Sequence, residues 1–513
     1  MFHFPGSSRI VRTGADIIES GRQFRHARKY SPDKLFSRFI KLLIVLAVTL
    51  TLWNMPADWY GIQNLTVVQQ RIIAIFAFAT LMWIMEIVSS WATSVAVIGM
   101  MLLFTSDSGI KWMCNPEQVG ELLSYKGVMA TFADPVIMLF IGGFILAIAA
   151  TKTGLDVQLA KVLLKPFGTK SNMVLLGFLL MTGLFSMFVS NTATAAMMLT
   201  FLTPVFRQLP PEGKGRVALA LSIPVAANLG GIGTPIGTPP NATAVKFLGD
   251  AGLDVSFGEW ALRMIPFVII MILFAWVMLQ VLFPFKSKEV VLDIKKSDRK
   301  SDWKTIVVWC TFIGTILLWA TEKLTGINSN VVALIPLAVL TCCGIFTKED
   351  IKEINWTVLW LVAGGFALGT DLQGTGLAKV LIEAIPFGTM GVVAVFIIAG
   401  LVCYFLSNFI SNSATAALLI PILIVIAEAM SMPEAASHDT FMALGGTQAM
   451  ISFIAVCASI AMLFPISTPP NAIASSTGLV ETKDMAKIGA IVGFVAFILG
   501  YFWLTKIFPF QAL

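Results

Sequence analysis

Charged residues are scarce in this sequence. Only 12% of its 513 residues are Asp, Glu, Lys or Arg, whereas 57% are hydrophobic. An average soluble domain carries roughly 25% charged residues, because its surface must face water. The composition therefore argues against a soluble protein.

Histidine and clustered cysteine are scarce as well. The three histidines are scattered, and the six cysteines share no metal-ligand spacing, which argues against a zinc site and a disulfide framework. An intramembrane enzyme would need a nucleophile–base pair or metal ligands, and the apolar segments lack histidine. The sequence G-x-x-x-x-G-K-[ST], which an ATP-driven pump would carry, does not occur. We therefore expect neither an enzyme nor an organic cofactor.

Long apolar runs lie between the few charges, at residues 36–53, 72–88, 136–150, 267–283, 305–319 and 488–504. A helix needs about 20 residues to cross the hydrocarbon of a bilayer, and it satisfies its own backbone hydrogen bonds there. The sequence predicts an all-α polytopic membrane protein with about eleven transmembrane helices and two re-entrant hairpins. The lipid bilayer is therefore one of the expected partners of the protein.

Positive charge is concentrated in two segments. One is residues 1–35, and the other is residues 285–302, which separate the two halves of the chain. Beside apolar spans, basic segments are typical of cytoplasmic loops, and they do not indicate a nucleic-acid partner. We interpret 1–35 as a cytoplasmic arm, 36–67 as an extra N-terminal transmembrane helix and loop, and 285–302 as a cytoplasmic linker.

Four motifs occur twice, in the same order. They are Trp83-x-x-Glu86 with Trp319-x-x-Glu322, Gly142-Gly143-Phe144 with Gly364-Gly365-Phe366, Ser190-Asn191-Thr192 with Ser411-Asn412-Ser413, and Thr238-Pro239-Pro240-Asn241 with Thr468-Pro469-Pro470-Asn471. The sequence therefore predicts a duplication, with repeat 1 at 68–284 and repeat 2 at 303–513. Repeat 1 contains a hairpin at 171–209 and a broken helix at 215–248. Repeat 2 contains a hairpin at 391–431 and a broken helix at 440–475.

Each repeat is interpreted as five spans plus one hairpin that enters and leaves on the same side. Because five is odd, the second repeat is inverted relative to the first. This topology puts the basic arm and the basic linker on the same face, in agreement with the charge pattern. Inverted repeats with broken helices are typical of secondary transporters.

The Thr-Pro-Pro-Asn motifs predict breaks in apolar helices near 233–241 and 464–470, because proline removes donors and disfavours helix at the preceding residue. A break exposes carbonyls at one half-helix end, which suit a small cation. It exposes N–H groups at the other, which suit an anion. Small residues that merely allow close helix packing are the structural alternative, and the duplication argues against it.

The Ser-Asn-Thr and Ser-Asn-Ser motifs are expected at the hairpin tips, as N-caps of the helices that follow. Ser186 and Ser190 are four residues apart, as are Ser407 and Ser411, so we expect each pair to share one helix face. Their hydroxyls would serve a cation, while the Asn amide donates to a carboxylate. Neither motif contains a charged residue.

A transported dianion raises an electrical problem. Moving it inward against 100 mV costs about 4.6 kcal/mol. Two co-transported cations cancel this cost, and exchange of one dianion for another avoids it. The sequence leaves both options open.

The paired motifs resemble those of the divalent anion:sodium symporter (DASS) family, the INDY-type dicarboxylate transporters. The resemblance covers the chain beyond its N-terminal arm. It implies sodium-coupled symport of C4-dicarboxylates (succinate, malate, fumarate) by a homodimer in the plasma membrane, here a bacterial inner membrane, with an elevator-type movement of a transport part against a scaffold. The N-terminus would be cytoplasmic.

The resemblance also implies a set of site residues. Sodium site 1 would comprise Ser186, Ser190, Asn191 and the carbonyl of Gly237, and sodium site 2 would comprise Ser407, Ser411, Asn412 and the carbonyl of Ser467. Substrate contacts would fall on Asn191, Thr192, Thr238, Asn412, Ser413, Thr468 and Pro469. Ser413 departs from the family's usual threonine, which affects substrate fit. A sodium-independent dicarboxylate exchanger, a citrate or sulfate carrier and an anion channel are the alternatives.

Overall fold

A computed structural model of the protein describes residues 32–62, 65–209, 214–289, 302–377, 380 and 391–510. Within these ranges the regular structure is helical, and no strand occurs beyond two isolated bridges, Ser106 with Leu123 and Lys170 with Glu289. The all-α prediction is confirmed. Most of the predicted basic arm and most of the predicted linker lie outside the described residues.

The principal helices are labelled in chain order. The first half of the chain contains α1 Pro32–Asn54, α2 Val67–Met85, α3 Ser90–Phe104, α4 Pro135–Thr153, α5 Leu155–Leu164, α6 Ser171–Ser186, α7 Asn191–Gln208, α8 Gly215–Gly231, α9 Pro239–Asp250 and α10 Phe257–Leu282. The second half contains α11 Trp303–Ala320, α12 Leu334–Cys342, α13 Trp356–Gly374, α14 Val392–Phe409, α15 Asn412–Ser431, α16 Gly446–Ser459, α17 Pro469–Ser476 and α18 Thr482–Phe502.

Short helical segments connect them. These are Ala57–Tyr60, Pro116–Val119, Tyr125–Ala130, Thr131–Ala133, Lys165–Phe167, Glu322–Thr325, Ser329–Val332, Asp350–Glu353, His438–Ala443 and a π-helical turn at Trp503–Ile507.

Eight helical stretches within the described residues are long and apolar enough to cross a bilayer: Phe36–Asn54, Val67–Met85, Tyr125–Thr153, Phe257–Leu282, Trp303–Ala320, Val392–Phe409, Asn412–Ser431 and Thr482–Ile507. Four shorter apolar helices accompany them, at Ser90–Phe104, Ser171–Ser186, Ser329–Cys342 and Gly446–Ser459. The chain is therefore a multi-pass membrane protein. The number of eleven crossings stays a prediction.

Both predicted helix breaks are present. The first break, residues 232–238, separates α8 from α9, and the second break, residues 460–468, separates α16 from α17. Each break ends where two consecutive prolines begin the next helix, at Pro239 and at Pro469. Proline is well suited to the first turn of a helix, whose N–H groups have no intrahelical acceptor. The second break starts a few residues earlier than predicted.

Two pairs of contacts relate corresponding residues of the halves. The indole N–H of Trp83 donates to the carbonyl of Ser90 at 3.1 Å, and that of Trp319 donates to the carbonyl of Ser329 at 2.9 Å. These matching local bonds support the predicted duplication.

The glycine motifs provide the second pair. A Cβ on Gly142 would lie 2.3 Å from the carbonyl oxygen of Ala333, and one on Gly364 would lie 2.3 Å from the Cβ of Ser94. Each half therefore packs a glycine of its own against a helical segment of the other half. This reciprocal packing is what interlocked repeats would produce.

Close backbone contact fixes the position of α6 against α8. A Cβ on Gly230 would lie 2.3 Å from the carbonyl oxygen of Gly183 and 2.5 Å from its Cα. Neither backbone atom can rotate away, so any side chain at position 230 must push the two helices apart. The hairpin tip that follows α6 would move with it.

We therefore expect Gly230→Ala to destabilise the protein by about 1–3 kcal/mol, the usual cost of overpacking. Gly314→Ala is the matched control. It lies within α11, and its added Cβ meets nothing within 4 Å, so the higher helix propensity of alanine should leave stability equal or improved. Thermal unfolding of both variants in detergent checks this, and equal midpoints would contradict the packing argument.

Candidate functional site

A single cavity of about 300 Å3 lies where the two motif sets meet. All seven residues predicted to contact substrate line it: Asn191, Thr192, Thr238, Asn412, Ser413, Thr468 and Pro469. Four more of the predicted sodium ligands also line it, namely Ser190, Gly237, Ser411 and Ser467. The remaining two, Ser186 and Ser407, are fully buried and do not line the cavity.

The hairpin tips have the predicted N-caps. Ser190 precedes α7, and its hydroxyl accepts the N–H of Ala193 at 3.3 Å. Ser411 precedes α15, and its hydroxyl accepts the N–H of Ala414 at 3.2 Å. Serine is a preferred cap because its side chain replaces a missing intrahelical acceptor.

The prediction that each serine pair shares one helix face is wrong. Helix α6 ends at Ser186, and Ser190 belongs to the next helix as its cap. Likewise α14 ends at Phe409, beyond Ser407 and before Ser411. The chain reverses between the two serines, because the cap geometry overrides the helical spacing of four.

Three oxygen atoms converge at each buried serine. The Oγ of Ser186 lies 2.6 Å from the Oδ1 of Asn191 and 2.7 Å from the carbonyl oxygen of Ala227. A hydroxyl has one proton to donate, so one of these two oxygen pairs has no hydrogen between its members. Such a cluster of acceptors attracts a hard cation.

The second motif repeats the arrangement. The Oγ of Ser407 lies 3.2 Å from the Oδ1 of Asn412 and 2.9 Å from the carbonyl oxygen of Ala458. Helices α8 and α16 supply the two carbonyls, each within a few residues of its break. The oxygen cluster is thus a shared feature of both halves.

An additional oxygen approaches the first cluster through a glycine. A Cβ on Gly231 would lie 2.8 Å from the Oδ1 of Asn191, 3.0 Å from the Nδ2 of the same side chain and 3.0 Å from the carbonyl oxygen of Gly237. The space that a side chain would fill is therefore bordered by two oxygens of the predicted sodium site 1. Oxygen donors are what a hard cation requires, so this donor set fits sodium.

One asparagine holds each break in shape. The Nδ2 of Asn241 donates to the carbonyls of Gly231, Ile232 and Thr234 at 3.0, 3.1 and 2.8 Å. The Nδ2 of Asn471 donates to the carbonyls of Met462 and Phe464 at 2.9 and 3.0 Å. These carbonyls lie at helix ends and lack intrahelical donors. The asparagine of Thr-Pro-Pro-Asn is therefore a structural clamp.

Each break is also tied to its hairpin tip. The hydroxyl of Thr234 donates to the carbonyl of Met187, which follows Ser186. The hydroxyl of Ser467 donates to the carbonyl of Asn408, which follows Ser407, at 2.9 Å. The tip and the break of each half thus form one connected unit.

The hairpin tips present free backbone N–H groups. Among the described residues, no acceptor lies within hydrogen-bond range of the amides of Asn191 and Thr192, or of those of Asn412 and Ser413. In α9 and α17 the first two residues are prolines and have no N–H to offer. Donors to an anion therefore come mainly from the two hairpin tips.

No charged side chain is present among the residues that line the cavity. Helices α7, α9, α15 and α17 begin at it, and the start of a helix carries about half a positive charge. Four such ends supply a field suited to an anion of charge about −2 without any ion pair. The arrangement therefore suits an anion at the tips and cations at the oxygen clusters.

Sequence reasoning missed several residues of the cavity, including Phe140 and Phe144 of α4 and five residues with polar groups. Asn228 lies on α8, Ser90 and Trp91 begin α3, and Asn355 and Thr357 lie at the start of α13. Asn228 was visible as an amide within an apolar segment of the predicted broken helix. The other four lie outside the repeated motifs, and the sequence offers no signal for their approach.

Known proteins that are similar in sequence to this chain are described as transporters. A family model described as a citrate transporter matches residues 80–445. A protein of Haemophilus influenzae described as an uncharacterized transporter is 32% identical over 415 residues, covering 75% of this chain and 84% of the relative. The sodium-dependent dicarboxylate transporter SdcS of Staphylococcus saprophyticus is 30% identical over 417 residues, covering 74% and 78%. The protein of the same name from Staphylococcus aureus strain USA300 is 27% identical over 508 residues, covering 92% and 91%.

Asn241, which clamps the first break, and Asn191, a predicted ligand residue, are expected to respond differently to replacement by alanine. Asn241→Ala removes a donor from three carbonyls. Those of Ile232 and Thr234 keep the indole N–H of Trp260 and the N–H of Gly237, and that of Gly231 loses its donor among the described residues, at a cost of about 1–3 kcal/mol. We therefore expect a drop in thermal stability. Asn191→Ala is the matched control, because its amide nitrogen donates to no acceptor among the described residues, and it should unfold near the wild-type temperature. A stable Asn241→Ala variant would show that the break does not depend on this clamp.

Proposed function

This chain belongs to the citrate transporter family, and on that premise we propose that it is a sodium-coupled symporter of small divalent anions, best suited to C4-dicarboxylates such as succinate, malate and fumarate. It is a membrane transporter and not an enzyme. Its resemblance to the divalent anion:sodium symporters is confirmed, because relatives named sodium-dependent dicarboxylate transporter match it over most of its length.

The observation that carries the dicarboxylate proposal is the pair of opposed N–H sites in one neutral cavity. Asn191 and Thr192 supply one site, and Asn412 and Ser413 supply the other. One carboxylate bound at each hairpin tip would use both N–H sites, and a short carbon chain would connect the two carboxylates. The hydroxyls of Thr238 and Thr468, at the starts of α9 and α17, add a donor at each end.

Sodium coupling is supported by the oxygen clusters. Ser186, Asn191 and the carbonyl of Gly237 would hold one ion, with Ser190 beside them. Ser407, Asn412 and the carbonyl of Ser467 would hold the other, with Ser411 beside them. Two sodium ions neutralise a dianion, and they relieve the crowding of oxygen atoms at each buried serine.

Asn191 and Asn412 couple the two ligands directly. In each of them the Oδ1 faces the buried serine, while the backbone N–H faces no acceptor. A cation on the side chain fixes the tip in the shape that offers its N–H to the anion. Each ligand thus strengthens binding of the other, and by linkage the effect is reciprocal.

A citrate carrier is the second candidate, favoured by the description of the matching family. Citrate carries a third carboxylate, which would have to reach the N-termini of α3 or α13, where Ser90 and Asn355 line the cavity.

We also propose an elevator-type movement. Helices α6–α10 and α14–α18 would form the transport part, and α1–α5 with α11–α13 the scaffold. Two ion pairs join these parts, Lys246 of α9 with Asp134 before α4 at 3.3 Å, and Glu259 of α10 with Lys323 at 2.6 Å. Both would have to separate when the transport part moves.

The family resemblance supports a homodimer, and the basic segments support a cytoplasmic N-terminus in a bacterial plasma membrane. The inverted repeats at 68–284 and 303–513 belong to the same proposal, supported by the matching bonds of both halves.

The central experiment measures uptake of labelled succinate into proteoliposomes with an inward sodium gradient and with potassium instead. We expect uptake only with sodium. Uptake that ignores sodium and needs internal dicarboxylate would show an exchanger, and large unitary currents in bilayer recordings would show a channel. If citrate inhibits the uptake of labelled succinate at a lower concentration than unlabelled succinate does, the citrate carrier is favoured.

In the same assay, Asn191→Ala and Asn412→Ala should each abolish sodium-driven uptake while the protein is still made and inserted. Asn172→Ala is the matched control, since Asn172 is an exposed residue at the start of α6, far along the hairpin from its tip. Wild-type kinetics in either cavity variant would remove that residue from the site.

The elevator proposal predicts that a covalent bridge across the Lys246–Asp134 pair stops transport. In an Asp134→Cys/Lys246→Cys variant, a short bis-maleimide should abolish succinate uptake. The two single-cysteine variants, treated identically, should keep it. Full activity in the bridged protein would show that these elements do not separate during transport.

A further inference from the structure

Asn228 is a cavity residue to which neither repeated motif assigns a role. It lies on α8, three residues before the helix ends, and is 1% exposed. It lines the cavity together with both hairpin tips. A buried amide at a binding cavity has to find partners for its donors and its acceptor.

The hydrogen-bond network determines which way this amide faces. The Nδ2 of Asn471 is committed to two carbonyls of the second break, so its Oδ1 is an acceptor. The atom of Asn228 that lies 3.2 Å from that oxygen must therefore be its Nδ2. The same Nδ2 lies 3.2 Å from the Oγ1 of Thr468.

Thr468 is consequently fixed as a donor. Its hydroxyl oxygen accepts the amide of Asn228 at 3.2 Å and the backbone N–H of Asn471 at 3.3 Å. With both lone pairs occupied, its proton is free to point to an anion in the cavity. Thr238, the corresponding residue of the first half, makes no such cap bond.

The Oδ1 of Asn228 remains without any partner, although it is buried. The other groups proposed to contact the anion are donors: four backbone N–H groups and the hydroxyls of two threonines. On a residue that lines the cavity, an unpaired carbonyl oxygen disfavours a carboxylate beside it and favours a hydroxyl, which can donate to it. Leaving it unpaired in the bound state costs free energy.

We propose that Asn228 determines specificity for substrates that carry a hydroxyl group on their carbon chain, so that malate binds in preference to succinate. This inference rests on the proposed dicarboxylate function and adds the substrate class. The hydroxyl of malate donates to the Oδ1 of Asn228, and succinate leaves that oxygen unpaired. No bond is made or broken, and only the hydrogen bond differs between the two substrates.

The second half of the chain has no equivalent acceptor. The residue that corresponds to Asn228 is Ser459, one position after Ala458 as Asn228 is one after Ala227. The hydroxyl of Ser459 donates within its own helix to the carbonyl of Ala455 at 2.9 Å, and Ser459 does not line the cavity. The cavity therefore holds one hydroxyl-selecting position, on the side of α8.

The test compares L-malate and succinate as competitors of labelled fumarate uptake into proteoliposomes with an inward sodium gradient. For the wild-type protein we expect half-inhibition by malate at a concentration about 3 to 10 times lower than by succinate, the range of one neutral hydrogen bond. In Asn228→Ala the two concentrations should become equal. Loss of the Asn228 amide also removes a hydrogen bond to Thr468. This change weakens the binding of both acids alike, so the ratio of the two concentrations reports only on the hydroxyl of malate.

Ser459→Ala is the matched control and should keep the wild-type ratio. If Asn228→Ala is inactive, thermal stabilisation of the purified variant by each acid in sodium buffer provides the same ratio. A wild-type preference for succinate, or a malate preference that survives in Asn228→Ala, would overturn the inference alone. Failure of the wild-type protein to take up any C4-dicarboxylate would overturn the proposed function together with it.

Discussion

The site depends on one constraint, which is that backbone groups exposed by a broken helix must find partners within the membrane. Lipid offers no hydrogen bonds, so an unpaired carbonyl or amide there is expensive. Asn241 and Asn471 meet this requirement for the carbonyls of their breaks. The cavity-facing N–H groups of the tips are left for a ligand. The same arrangement therefore stabilises the helix breaks and leaves the backbone N–H groups of the tips unpaired.

This arrangement explains how a cavity without charged side chains can serve a divalent anion. Helix ends and amides provide a distributed positive field, and in the proposed mechanism cations in the oxygen clusters would add to it. Because Asn191 and Asn412 each take part in a cluster and a tip, binding of the proposed anion and cations would be mutually reinforcing. A cavity lined by neutral polar groups is thus suited to coupled transport of an anion with cations.

The two halves have the same arrangement of polar residues but differ at Asn228, the position proposed to determine selectivity. Both have a capping serine, a buried serine with converging oxygens and a clamping asparagine. Only the first half has the amide of Asn228, whose nitrogen reaches across to Thr468 and Asn471 of the second half. In the proposed mechanism the two similar halves would each hold one carboxylate, and the asymmetric side chain of Asn228 would distinguish the group between them.

Much of this was determined by the sequence alone. Long apolar runs require membrane helices, consecutive prolines require the helix to stop, and Ser-Asn pairs before an apolar run require a cap, because these effects act within a few residues along the chain. Only the tertiary structure decided that Ser186 and Ser190 lie on different helices and that Asn228 bonds residues more than two hundred positions away. It also decided that Ser90 and Asn355, which belong to no repeated motif, line the same cavity. Such contacts depend on how helices pack across the two halves, and no local pattern in the chain encodes that packing.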